Sequence, residues 1–488
     1  MTAARIMEPL RLRDDDLLDL LRPRTVAVAV VASVIFAFAS LHGLGKPLMF
    51  MLVGVGSVAA IFSPTTGFTL CVFLFAFRNQ AFSLGALKVA DPLFAVTVAS
   101  WTIHALLQGR LRLHYSMIIV ALYLAAGILS GLAAQWGGYY VADAIRLVYI
   151  VVIYLLALQM MGSRPMLLAT VKAFCAAALV MAMCAVVGCV SRYVLHGPGD
   201  PFLDETGRFG MQSIAVDPLR ISSFMIFPML VMAGLQQRGR TPGERRVATL
   251  LFWLGMLACA LSFSRSAVLQ IVPALLVMWL LTGRHLPKLV ALVGGVGALV
   301  LAVTLMPMDS PVVQEYGLNR WAVAGKLASE RTEPREVIWQ TGMKVVAEYP
   351  ILGLGLNNFP ARYFEFRDPW LTRGWIYWQQ KANHSTYMGA LTESGLVGLS
   401  CLLLMMGYFV LLGRRVVLLA RADADRTRYL LAAAALAAFV AQLVAGIALE
   451  LLSHNHVWII MAIMAVLDRP RASRLALQTE KPRLARTG

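Results

Sequence analysis

Long apolar segments recur along this chain and are separated by short polar connections. A helix of roughly 20 apolar residues spans the hydrocarbon core of a bilayer. Fourteen candidate segments approach that length, although several are short, so the pattern predicts an all-α polytopic membrane protein with about 12–14 transmembrane helices. The segments are centred on residues 25–42, 47–62, 66–78, 91–107, 116–135, 142–161, 167–191, 218–235, 247–263, 266–282, 288–307, 394–412, 429–448 and 454–467.

Composition agrees with this pattern, because 59% of the 488 residues are hydrophobic and only 14% are charged. An ordinary soluble domain is about one quarter charged. The shortage of charge excludes an ordinary soluble enzyme, a disordered protein and a basic nucleic-acid-binding protein. All six cysteines lie in apolar runs without a CxxC pair, so we expect small buried hydrophobes rather than disulfides or metal ligands.

The net charge of +17 is distributed as membrane topology requires. With a cytoplasmic N-terminus, alternate connections carry most of the basic residues, as the positive-inside rule expects. Both termini are therefore predicted to be cytoplasmic, and the apolar run after Arg24 is predicted to be a retained first helix rather than a signal peptide. The basic inside connections contain Arg110, Arg112, Arg164, Arg238, Arg240, Arg245, Arg246, Arg284, Lys288, Arg414, Arg415, Arg421, Arg426 and Arg428.

The spacing of the spans divides the chain into five parts. Two outside connections are long, at about 192–217 and 308–393, and a long loop in a membrane protein is more often functional than filler. The chemistry is therefore expected on the outer face. The predicted parts are a cytoplasmic segment 1–24, a transmembrane bundle 25–307, a periplasmic loop 308–393, C-terminal transmembrane helices 394–467 and a basic cytoplasmic tail 468–488.

Two arginines stand out at the outer face. Arg265, in the run Ser262–Ser266, interrupts two apolar segments, and a charge there is costly unless it is paired or faces water. Arg335 follows Pro334, which predicts a helix start, and lies on the apolar stripe of that helix with Trp339. The alternatives are a snorkelling arginine at a helix end for Arg265 and an ordinary salt bridge for Arg335.

The loop closes with two further motifs. Gly353 and Gly355, in the stretch 350–359, have the spacing of part of a phosphate loop but are better explained by a tight turn. His384 is a proton acceptor at neutral pH placed at the mouth of the membrane, although an interfacial histidine is the alternative. Glu393 would lie on the opposite side of a straight helix, which argues against a His–Glu catalytic pair.

Weaker candidates also lie on the outer face. Arg220 is either a further anion contact or an interfacial anchor, and Arg146 with Asp143 favours a structural ion pair. A short outer loop contains Glu450, His454 and His456, but their spacing is poor for a metal site and the chain has no Asp-rich motif. The long loop contains an aromatic cluster that is either a sugar-stacking surface or an interfacial belt. This cluster comprises Trp370, Trp375, Tyr377 and Trp378.

The ordered motifs resemble the bacterial O-antigen ligase and O-antigen polymerase superfamily, which includes exopolysaccharide polymerases. The motifs are S-x-S-R (262–265), R-x-x-I-W (335–339), P-x-x-G-x-G-x-N-x-F (350–359), and N-H-S-x-Y followed by E-x-G-x-x-G (383–398). The resemblance covers about residues 210–400. One departure is Ser385, because the family often has Asn after the histidine.

The resemblance implies a C-type glycosyltransferase fold and an undecaprenyl-diphosphate-linked glycan as substrate in the bacterial inner membrane. It also implies that arginines bind the diphosphate, with Arg265 and Arg335 as the main candidates and Arg220 as a third. His384 would activate the acceptor hydroxyl. Inverting transfer without metal or other cofactor is expected. The possible supporting residues are Arg146, Asn383, Tyr387 and Glu393.

The acceptor separates the remaining hypotheses. A polymerase extends another lipid-linked repeat, a ligase uses lipid A core, and a transporter or flippase would place its polar groups near the midplane instead. We favour the polymerase, because an amphiphilic surface precedes His384 in the loop and the outer face shows no extra basic cluster that would bind a phosphate-rich acceptor. The amphiphilic surface comprises Arg362, Glu365, Arg367, Asp368, Trp370, Arg373, Trp375, Tyr377 and Trp378. Other polysaccharide export proteins are further implied partners.

Overall fold

The computed structural model describes fifteen α-helices and one short β-hairpin. The described residues are 12, 16–77, 83–84, 87–88, 90–108, 114–193, 195, 218–262, 265–283, 290–291, 294–295, 334–367, 382–450 and 452–468. The helices are α1 (Pro23–Leu41), α2 (Gly45–Phe62), α3 (Pro64–Leu74), α4 (Ala90–Gln108), α5 (Ser116–Leu129), α6 (Gly137–Met160), α7 (Arg164–Tyr193), α8 (Pro218–Leu235), α9 (Pro242–Leu261), α10 (Arg265–Thr282), α11 (Pro334–Glu348), α12 (Asn358–Phe366), α13 (Thr386–Ala422), α14 (Arg426–Ala445) and α15 (Asn455–Leu467). The hairpin pairs β1 (Ser83–Leu84) with β2 (Leu87–Lys88).

The prediction of an all-α polytopic membrane protein is confirmed. Seven helical segments are long and apolar enough to cross a membrane: α1, α4, α6, α7, α13, α14 and the segment 116–133 that begins with α5. Five shorter apolar helical segments join them within the described part of the chain. Their outward side chains are apolar, as Val28 and Ile35 of α1 are 70% and 62% exposed, which suits contact with lipid. The predicted span at 288–307 lies largely outside the described residues.

Helix α14 lies at the centre of the bundle. It packs against α8, α10, α13 and α15, and its stretch 432–438 is made of six alanines and one leucine. Small side chains let helix backbones approach closely in a membrane, where packing rather than the hydrophobic effect drives association. The next helix, α15, is buried along its whole length and packs against α6. The C-terminal helices thus form the core, while α1 and α2 lie at the lipid-facing edge.

Helix α13 is broken near its start by Gly395, whose φ is 62° and ψ −161°. An unbroken helix would bond the N–H groups of Leu396 and Val397 to the carbonyls four residues earlier. Here those two N–H groups donate to Pro350 and Ile351 at 2.8 and 3.2 Å. The long loop therefore replaces the helical hydrogen bonds that the break removes on one side.

The same loop also satisfies the other side of the break. The carbonyls of Thr392 and Glu393 accept hydrogen bonds from the N–H groups of Leu354 and Gly355, each at 2.9 Å. A Cβ at Gly353 would lie 2.6 Å from the Thr392 carbonyl oxygen, so only glycine allows this approach. Gly353 and Gly355 thus form the predicted tight turn, and this turn is hydrogen-bonded to α13 at the break.

Helices α11 and α12 form a small cap with its own apolar core. Ile338, Val345, Leu354, Phe359 and Tyr363 are buried together there. The sequence prediction of a helix start at Pro334 is confirmed by α11, which ends at Glu348. Because the turn after α11 is bonded into the break of α13, the cap is held on the bundle by backbone hydrogen bonds as well as side-chain packing.

We expect Gly395→Ala to destabilise the protein. Its backbone conformation is one that essentially only glycine adopts, at a cost of about 1–3 kcal/mol for another residue. In addition, a Cβ would lie 2.2 Å from the Ile351 carbonyl oxygen. The measurement is thermal unfolding of the purified protein in detergent. Gly407→Ala, on the same helix, is the matched control, because a Cβ at Gly407 would meet nothing within 4 Å. Equal unfolding temperatures for the two variants would contradict the role of the break.

Candidate functional site

His384 lies in a short loop that is fixed on both sides by hydrogen bonds. Before it, the buried Asn383 donates from Nδ2 to the hydroxyl of Thr392 at 2.8 Å. After it, Ser385 caps the first turn of α13, and Thr386 donates from N to the carbonyl of Gly446 at 2.8 Å and from Oγ1 to that of Leu449 at 2.7 Å. The loop between α14 and α15 therefore holds the residues that follow the histidine.

His384 itself is exposed between these buried neighbours. Its φ is 50°, in the left-handed region that few residues other than glycine adopt. Strained backbone of this kind persists only when surrounding contacts enforce it, and it collects at functional sites. The flanking hydrogen bonds supply that enforcement. The arrangement presents an imidazole at the surface of a rigid support.

Helix α11 brings Arg335 towards the same loop. One turn along the helix, Trp339 donates from its indole nitrogen to the carbonyl of Asn383 at 3.1 Å. Residues four apart share a helix face, so Arg335 lies on the face that meets the histidine loop. Gly342 continues this face, and a Cβ there would lie 3.0 Å from Met388. The predicted stripe of α11 is thus its contact surface with the start of α13.

Glu393 and the asparagines of the loop form a second anchored group. The Glu393 carboxylate accepts a hydrogen bond from the N–H of Asn357 at 2.9 Å, and Asn357 has a φ of 55°. The next residue, Asn358, accepts from the N–H of Trp136 at 2.9 Å. These bonds connect α13, the cap and the connection before α6, so Glu393 holds the backbone of the loop.

A cavity of about 160 Å³ adjoins the histidine loop and is lined by Ala382, Ser385 and Thr386, among others. Four charged side chains share its wall, namely Asp143, Arg146, Glu393 and Glu450. Arg146 lies 3.7 Å from the Asp143 carboxylate, which is the ion pair favoured by the sequence. With three carboxyl groups and one guanidinium, this cavity is poorly suited to a diphosphate and better suited to hydroxyl groups.

Tyr387 supports the site from below rather than facing it. Its hydroxyl donates to the carbonyl of Leu443 at 2.7 Å, near the end of α14. The neighbouring buried network joins Ser223, whose hydroxyl lies 2.8 Å from both Gln442 and His456. These contacts link α8, α14 and α15 under the histidine loop.

The structure describes the helix positions of Arg220 and Arg265 but not their side chains. Arg220 belongs to the first turn of α8, and Arg265 begins α10. Both helices pack against α14, which ends beside the residues that bind Ser385 and Thr386. The aromatic cluster 370–378 lies outside the described residues.

The sequence predicted that Arg362 belongs to an amphiphilic surface that holds the glycan. The structure shows instead that Arg362 is buried in the cap. It is 5% exposed, its Nε donates to Glu365 at 2.7 Å, and its guanidinium lies 5.1 Å from the ring centres of Tyr349 and Phe366. Burial also raises the pKa of the neighbouring Tyr363 hydroxyl, which remains protonated. Arg362 therefore stabilises the fold of the cap and does not reach a ligand on its surface.

Comparison with known proteins covers the region just described. Residues 250–403 match the family model described as O-antigen ligase. This segment of the membrane protein is therefore O-antigen ligase-related. The match contains all of the motifs from Ser262 to Gly398, and no match was found among curated proteins. The family relationship implies ligase- or polymerase-type transfer of a lipid-linked glycan in general terms.

Several supporting residues of the site could not be identified from the sequence. The carbonyls of Gly446 and Leu449 hold Thr386, and Trp136 meets Asn358 across 222 positions of sequence. Backbone carbonyls carry no sequence signal, and contacts between distant positions depend on helix packing. Ser385, the residue at which the sequence departs from the family pattern, is the N-cap of α13.

Removal of the indole donor should loosen the histidine loop. Trp339→Phe keeps an aromatic side chain but loses the hydrogen bond to Asn383, whose net value is about 0.5–1.5 kcal/mol. We expect transfer activity to fall by up to about tenfold with little change in the amount of folded protein. Trp253→Phe is the control, because Trp253 is 44% exposed on α9. Unchanged activity of Trp339→Phe would show that the loop does not depend on α11.

Proposed function

We propose that this protein transfers an undecaprenyl-diphosphate-linked glycan to an acceptor hydroxyl at the periplasmic face of the bacterial inner membrane. The observation that carries the proposal is the exposed His384 held in a strained conformation between anchored neighbours. Such an imidazole accepts a proton at neutral pH and needs a fixed position to do so in a transition state. The orientation rests on the distribution of basic residues along the chain.

In the proposed reaction, the acceptor oxygen attacks the anomeric carbon of the donor glycan. The new bond forms as the bond from that carbon to the diphosphate oxygen breaks, and the acceptor proton passes to His384. Undecaprenyl diphosphate leaves with the bonding electron pair. A single displacement of this kind inverts the configuration of the anomeric carbon.

The leaving group carries developing negative charge, and we assign its stabilisation to arginines. Arg335 lies on the α11 face that meets the histidine loop, and Arg265 and Arg220 begin helices that pack on α14. A guanidinium binds phosphate oxygens at two points and keeps its charge at every relevant pH. Fixed cations in a poorly hydrated site supply this stabilisation without a metal ion.

The acceptor is proposed to occupy the cavity beside the histidine loop. Its carboxyl groups, from Asp143, Glu393 and Glu450, are suited to accept hydrogen bonds from sugar hydroxyls. A growing glycan would continue over the outer face of α12, where Phe364 is 42% exposed and the guanidinium of Arg367 lies 5.3 Å from its ring centre. Aromatic and planar groups suit stacking on sugar faces. These features favour a repeat-unit polymerase, whereas the description of the matched family favours a ligase.

We expect His384→Ala to abolish transfer while leaving membrane insertion intact. Loss of a positioned base typically lowers the rate by about 10²–10⁴-fold, and the exposed side chain contributes little to packing. The measurement is turnover of a lipid-linked donor by purified protein. His42→Ala, at the exposed end of α1, is the control. Near-normal turnover by the His384 variant would show that His384 is not the general base.

Polymerase and ligase are separated by incubation with lipid-linked repeat alone, in the presence of EDTA. A ladder of longer carrier-linked glycans is expected, because the acceptor is then a second copy of the substrate. Product that appears only after lipid A core is added would identify a ligase instead. Loss of activity in EDTA that Mg²⁺ or Mn²⁺ restores would refute the metal-independent mechanism.

A further inference from the structure

A second and larger cavity, of about 890 Å³, lies at the opposite end of the bundle. It is an open cavity bordered by the ends of α8 and α10 and by the turn between α13 and α14. From the break at Gly395, α13 continues for 27 residues to Ala422, which is about 40 Å at 1.5 Å per residue. The cavity is therefore separated from the histidine loop by the thickness of a membrane.

Positive charge dominates the wall of this cavity. Among the described residues, Arg238, Arg240, Arg421 and Arg426 line it, against a single acidic residue, Asp425. Asp425 is 5% exposed, and its carboxylate accepts the N–H of Arg428 at 3.0 Å as the cap of α14. Four guanidiniums and one buried carboxylate leave a strong local excess of positive charge.

The acidic residue of the adjacent turn does not offset that excess. Asp423 pairs with Arg428 at 3.2 Å, and Arg428 also donates to the carbonyl of Leu467 at 2.9 Å. On the other side of the cavity, the Glu244 carboxylate accepts the N–H groups of Arg240 and Thr241 in a capping box. Asp423 is thus paired with an arginine outside the cavity lining, and Glu244 does not line the cavity.

The lower wall of the cavity is apolar and well fixed. Met278, Leu281 and Leu430 line it, and the Tyr429 hydroxyl donates to the carbonyl of Leu281 at 2.5 Å, which joins α14 to α10. An opening that is basic at the membrane surface and apolar towards the interior matches an anionic headgroup joined to acyl chains. Basic pockets between transmembrane helices bind such headgroups.

We propose that this cavity binds the phosphate of an anionic phospholipid headgroup. The arginines contact the phosphodiester oxygens, and the leucine and methionine side chains contact the first acyl carbons. Under the predicted topology, the lipid comes from the cytoplasmic leaflet, on the side away from glycan transfer. The site does not depend on the assignment of His384, because no residue is shared between them.

The test is lipid binding to delipidated full-length protein in neutral detergent, measured by native mass spectrometry. Wild-type protein should retain phosphatidylglycerol and not phosphatidylcholine. The double variant R421Q/R426Q should bind phosphatidylglycerol roughly 30-fold more weakly, since each arginine contributes about fivefold. The control R246Q/R414Q removes the same charge from exposed positions that do not line the cavity, and it should bind within about twofold of wild type.

A second measurement uses the unaltered protein, so that a folding defect in a variant cannot decide the outcome. A photoreactive phosphatidylglycerol should label the segments 278–283 and 420–430. Labelling confined to other segments, equal binding of the two lipids, or equal weakening in both double variants would overturn the proposal. Displacement of the lipid by millimolar inorganic phosphate, but not by sulfate of equal ionic strength, would assign the cavity to free phosphate and overturn the lipid assignment.

Discussion

The structure depends on one broken helix in a membrane environment. Hydrogen-bonding groups of the backbone that lose their partners inside a bilayer cost several kcal/mol each, so a helix is interrupted only where other protein groups replace the lost bonds. At Gly395 the replacement is complete, because two carbonyls and two N–H groups of α13 are all bonded by the turn after α11. The break therefore fixes where the long loop meets the bundle.

The position of the candidate site follows from that junction. The short helical piece before Gly395 carries Thr392, which holds Asn383, and Glu393, which holds Asn357. The same piece begins with Thr386, bonded to the connection between α14 and α15. The residues that flank His384 are thus bonded to the cap, to the broken helix and to the core of the bundle.

The two ends of α13 differ in chemistry. At the N-terminal end, carboxyl groups line a small cavity beside an exposed histidine. At the C-terminal end, a larger cavity is lined by arginines. The alanine-rich α14 packs along α13 between them and allows close approach of its neighbours. The two cavities share no lining residue.

The sequence by itself determined the all-α membrane fold and the start of a helix at Pro334. Those features depend on local periodicity, on proline at a helix start and on the length needed to cross a bilayer, all of which are written in adjacent residues. Only the tertiary structure decided that Arg362 is buried under Tyr349 and Phe366, and that Glu393 bonds to a loop 36 residues away. It also decided that Gly353 and Gly395 meet as one junction, because their pairing depends on backbone groups and on packing between distant segments rather than on any local pattern.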